Sequence, residues 1–230
     1  MKILDTLDRH AGAIGRFAWI MAWVGLVVGQ LHALARHATE DGKADLDLPT
    51  TAFWAEPAAR ALKPLLDWGD PDLVYVTYGK IWLPVFAAFF LCALVTYRRR
   101  TPVGFEKWAW RVVLVAYAGA VVDVFMEYWT QWTGSPTGLL DVVFLIGLPF
   151  VLLTMVSSTV LGITLLRKGF RPRASAWLLA LTLPGLVVIS MFTSMGSISL
   201  PIAFAFGIIG RRIRHTDSSV VASPETLTVR

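Results

Sequence analysis

Two carboxylates four residues apart, Asp123 and Glu127, stand in an otherwise apolar run from Trp108 to Trp129. At that spacing both side chains occupy one face of a helix. The run is long enough to cross a bilayer, and tryptophans mark both of its ends. Ionisable groups in a spanning segment are costly and face a bundle interior or a water-filled cavity. His32, Lys80 and Asp141 fall near the same end of their own apolar runs and are the groups that could meet them.

Three chemistries are open to this set. Asp123 and Glu127 could take a cation or a proton into an outward-facing polar pocket. Lys80 with Asp123, and His32 with Glu127, could instead pair and hold helices together. His32 with Asp123, Glu127 and Asp141 offers the ligand types of a divalent metal, and a buried carboxylic acid could act as a general acid. No H-E-x-x-H, G-x-S-x-G or phosphate-loop pattern accompanies them. The four histidines are placed at helix ends or near one boundary, which does not suit a haem. The single cysteine, Cys92, allows neither an intramolecular disulfide nor a Cys-x-x-Cys site, and reads as a small packing residue.

The elements that position these residues are membrane helices. The chain has 230 residues, of which 56% are hydrophobic and only 16% charged. A soluble domain carries roughly 25% charged residues. The expected fold is therefore an all-α, polytopic bundle of six transmembrane helices, at about 14–35, 72–97, 105–129, 139–166, 174–192 and 198–210. The polar residues before the first run do not read as a cleavable signal, because the run exceeds a signal's h-region of about 7–15 residues. Ala18, Ala22, Gly25 and Gly29 form a small-residue stripe for close helix packing. Asp70-Pro71-Asp72 is a helix start, with a capping aspartate and a proline in the first turn.

Residues 37–71 form the longest polar loop and are acidic in balance. Within it, residues 57–66 show helical spacing of apolar positions, with Pro57 at the first turn and Pro64 placed to end the helix. The expectation is a short amphipathic helix at the membrane surface. Residues 216–230 read as a disordered cytoplasmic tail.

The net charge of +5 sits in four basic clusters: the lead, residues 98–107, residues 167–173 and residues 211–215. That placement in short loops speaks for membrane orientation and against nucleic-acid binding. With six spans the clusters all fall on one side, so both termini are expected in the cytoplasm of a bacterial-type cell. The predominance of arginine over lysine fits a GC-rich genome. The expected function is permease-like binding or transport of a small ligand or ion from a multi-pass position in the cytoplasmic membrane. The alternatives are an accessory subunit that meets a membrane-protein partner, and an embedded enzyme. A cavity around Asp123 favours binding, whereas direct salt bridges without a void favour scaffolding.

Overall fold

In lipid every backbone N–H and C=O must be satisfied within the protein, and a helix achieves this within one segment. The computed structural model describes residues 2–131, 138–193 and 195–221, and among these there are helices and turns but no strand. In chain order these are α1 (Lys2–Arg9), α2 (Ala11–Arg36), α3 (Pro49–Ala61), α4 (Lys63–Leu66), α5 (Pro71–Gly79) and α6 (Trp82–Arg100). There follow α7 (Gly104–Val124) with a π-helical turn at Phe125–Trp129, α8 (Gly138–Arg167), α9 (Arg173–Ala180), α10 (Thr182–Ser190) and α11 (Leu200–Val221).

Among the described residues four stretches are long and apolar enough to cross a membrane: Ala11–Arg36, Pro71–Arg100, Gly104–Trp129 and Leu145–Arg167. They mark a membrane-embedded protein. The outward-facing residues agree: Trp23 and Val27 of α2, Val115 and Val122 of α7, and Leu152 and Val156 of α8 are all exposed, while Ala18, Ala22, Ala116 and Ala120 are buried. Small residues inside and large apolar residues outside is the arrangement expected where lipid is the solvent.

The fifth expected span is broken rather than continuous. α9 and α10 meet at a bend of 61°. Pro184, early in α10, cannot donate to the carbonyl of Ala180, and its ring crowds that carbonyl. The N–H of Leu183, freed at the break, donates to Thr159 Oγ1 of α8 at 3.0 Å. The sixth expected span lies in α11, whose apolar part ends at Gly210, before Arg211, Arg212 and Arg214. That part, from Leu200, is about 16 Å long at 1.5 Å per residue, against roughly 30 Å of hydrocarbon. The helix itself continues to Val221, into the stretch expected as tail, since no breaker stands between Gly210 and the end of the helix.

The helix of the acidic loop also differs from expectation. It starts at Pro49, not at Pro57, which lies inside it. Either proline suits a first turn, but Leu48 has the extended backbone of an N-cap. The helix breaks at Leu62, inside the expected 57–66 helix and two residues before Pro64. α3 is tied down by its side chains. Thr50 and Thr51 donate to the carbonyl of Met191, and the indole N–H of Trp54 donates to that of Phe192. Phe53, on its other side, is 85% exposed.

Trp82, Phe89, Trp110, Tyr117, Leu161 and Phe206 centre the core. Tyr117 Oη and Ser158 Oγ, both buried, share a hydrogen bond of 2.8 Å between α7 and α8. α11 packs on α2 through glycine: the backbones of Gly15 and Gly210 touch, with no room for a Cβ on either. Arg98, Arg100 and Arg211 gather at this end of the bundle. Arg98 pairs with Asp8 at 2.9 Å, Arg100 pairs with the buried Glu106 and lies over Phe170, and Arg211 lies over Trp19.

Candidate functional site

At the opposite end of the bundle a cavity of about 470 Å³ lies between α2, α5, α6, α7 and α8. Its walls include His32, Asp123 and Glu127 of the expected set, together with Arg36, Asp41, Tyr75, Trp82, Phe86 and Tyr128. Lys80 is not part of the wall. Its backbone carbonyl, at the break between α5 and α6, accepts from Trp129 Nε1 at 3.0 Å. Asp141 lies on α8, but its side chain is outside the described residues.

Each wall group is positioned by a local feature of its helix. Asp70 caps α5, the helix that carries Tyr75, its carboxylate accepting from the N–H groups of Asp72 at 3.0 Å and Leu73 at 3.2 Å. His32 and Arg36 are four apart on α2 and share a face. Asp123 comes from the last regular turn of α7, and Glu127 and Tyr128 from the π turn that follows. Such turns insert an extra residue into the helical register and recur at functional sites.

Two glycines make room for these side chains. A Cβ on Gly147 of α8 would overlap the carboxyl of Asp123. A Cβ on Gly79 would overlap the ring of Tyr128. Asp123 therefore rests in a notch of α8 rather than on a neighbouring cation.

His32 sits in an aromatic box. It stacks on Tyr75 at 4.5 Å between centroids and meets Tyr128 edge-on at 5.3 Å. Trp82 Nε1 donates to His32 Nδ1 at 3.1 Å. A neutral ring that accepts at Nδ1 carries its proton on Nε2. That N–H is buried and has no partner among the described residues, and the same holds for Thr154 Oγ1 elsewhere on the wall. Buried polar atoms without partners are uncommon and call for an explanation in each case. The Tyr75 and Tyr128 hydroxyls are 3.2 Å apart.

Charge is unevenly spread. Arg36 donates to Asp45 at 2.9 Å, in the turn Lys43–Asp47 that covers this end. Glu127 lies in the electrostatic range of both Asp123 and Arg36. Among the described residues neither Asp123 nor Glu127 is in an ion pair within 4.0 Å, and no three His, Cys, Asp or Glu side chains come together as a metal would require. His37 turns away from the cavity towards Trp54 and Asp45, and burial holds its pKa below the usual histidine value.

Arg36, Tyr75, Tyr128 and Trp82 are wall residues that the sequence alone does not single out. The i, i+4 relation of His32 to Arg36 was the one signal available for any of them. No family model, no curated protein and no solved structure matches this chain.

Proposed function

We propose that the chain binds a small ligand or ion in this cavity, as a permease-like integral membrane protein. The observation that carries the reading is the cavity itself, about 470 Å³ and lined by His32, Asp123 and Glu127. Ligand pockets run from about 300 to 1,000 Å³ and combine an apolar lining with a few convergent polar groups. An accessory role would be supported by carboxylates spent on helix-to-helix pairs, whereas Asp123 lies against the notch of Gly147. Purification in mild detergent followed by native mass spectrometry tests this. Wild type is expected to carry a bound small molecule that Val151→Trp, which fills the cavity from α8, excludes. Equal occupancy in both proteins would place that molecule elsewhere and sink the reading.

The same proposal gives the chain six crossings, with both termini in the cytoplasm and residues 37–71 outside. The clustering of Arg98, Arg100 and Arg211 at one end, and of the cavity at the other, supports it. The bent α9–α10 pair and the short α11 would be the fifth and sixth crossings. Reporter fusions after Ser219 and at Lys43 are expected to report opposite sides of the cytoplasmic membrane. Fusions reporting the same side would reject this topology.

A further inference from the structure

The chemistry of the cavity says what kind of ligand it suits. Among the described residues three carboxylates face it, Asp41, Asp123 and Glu127, against a single wall cation, Arg36. Arg36 is already held by Asp45 at 2.9 Å. An anionic ligand would meet a cation in use and two carboxylates that have no ion-pair partner among the described residues. A cation would supply that partner.

Size then separates inorganic from organic cations. Among the described residues no three metal-ligating side chains come together, so these residues offer no shell for a bare divalent ion. The volume instead admits an organic molecule, and the remaining lining suits one. The π faces of tyrosine and tryptophan attract cations most strongly where water is excluded, and Tyr75, Tyr128 and Trp82 all line this cavity. Phe86, Val151 and Met155 offer apolar surface below them. Thr154 Oγ1, without a partner among the described residues, adds a buried oxygen that can accept from an ammonium N–H, independent of the carboxylates.

We infer that the cavity takes a monovalent organic cation of the amine class, its charged head between Asp123, Glu127 and the tyrosine pair and its apolar body against Phe86 and Met155. This rests on the ligand-pocket reading above and narrows it.

The test uses the full chain in detergent and three aromatic probes of similar size: benzyltrimethylammonium, its neutral carbon isostere neopentylbenzene, and benzoate. The quaternary head keeps its charge at every pH. Binding is read by calorimetry and by quenching of tryptophan fluorescence. Saturable binding of the cation is expected, with the isostere at least tenfold weaker and benzoate not binding. Asp123→Asn and Glu127→Gln are each expected to weaken the cation at least tenfold, and Val151→Trp to abolish it. Thermal unfolding is recorded for every variant. Should Asp123→Asn fail to fold, Glu127→Gln carries the comparison. Equal binding of cation and isostere, unchanged by both charge-removing variants but blocked by Val151→Trp, would overturn the cation class and leave the pocket standing. Saturable binding that Val151→Trp does not touch, or none by any probe, would overturn both.

Discussion

Gly147→Ala is expected to weaken cation binding by about tenfold or more while leaving the bundle as stable as wild type. The new Cβ would overlap the carboxyl of Asp123, which is the tip of a side chain with two rotatable bonds and not a backbone atom. The tip can rotate away. Glycine in a helix interior costs about 0.5–1 kcal/mol relative to alanine, so the change itself favours the helix. The two effects on stability oppose each other, and the unfolding midpoint is expected to stay level or rise slightly. The carboxyl, however, leaves the position from which it faces the cavity. A charge-assisted contact contributes roughly 1.5–3 kcal/mol, so affinity for benzyltrimethylammonium is expected to fall by about tenfold or more. Thermal unfolding and calorimetric titration of the same preparation check both halves. A variant that loses stability and binding together would show that the Cβ displaces α8 rather than Asp123.

Gly15→Leu is expected to do the reverse. Its Cβ would overlap the backbone of Gly210, which cannot rotate out of the way. α2 and α11 must separate, and Ala18 and Ala22 would lose their contact with Gly207 one turn further along. Overpacking typically costs 1–3 kcal/mol, and a backbone-to-backbone contact belongs at about 3 kcal/mol. The midpoint of thermal unfolding is expected to fall by roughly 6–12 °C for a chain of this size. Gly15 lies at the basic end, away from the cavity, so the folded fraction should bind with unchanged affinity and only the amplitude of the titration should fall. Unfolding at the wild-type temperature would mean that α11 does not need this contact to dock.

These two glycines show where reading a sequence runs out. Asp123, Glu127 and His32 are legible because an ionisable group in an apolar run has few places to go. The use of Gly147 is not legible, since it depends on which residue of another helix arrives opposite. Tyr75 and Trp82 are obscured for a different reason: aromatics near the ends of spans are what any membrane interface enriches. For Lys80, distance along a chain fixes depth but not direction: α5 ends at Gly79 and α6 begins at Trp82, so residue 80 stands at a break and not on the cavity wall. Pro184 makes the α9–α10 break legible as a position, but its angle of 61° follows from packing. In the acidic loop two prolines satisfy the same rule, and only the extended backbone at Leu48 selects Pro49. The short apolar part of α11 is readable as short, whereas its glycine contact with α2 is not.

The core has one further consequence, for handling the protein. Cys92 is fully buried, and its thiol donates to the carbonyl of Phe206 at 3.2 Å. It is also the chain's only cysteine. A maleimide added from water therefore finds no accessible native target, and a cysteine introduced at a surface position becomes the sole reactive thiol. The unaltered chain serves as its own blank for fluorophores, spin labels and crosslinkers. Distances between α3 and the bundle can be followed without first removing a residue from the core.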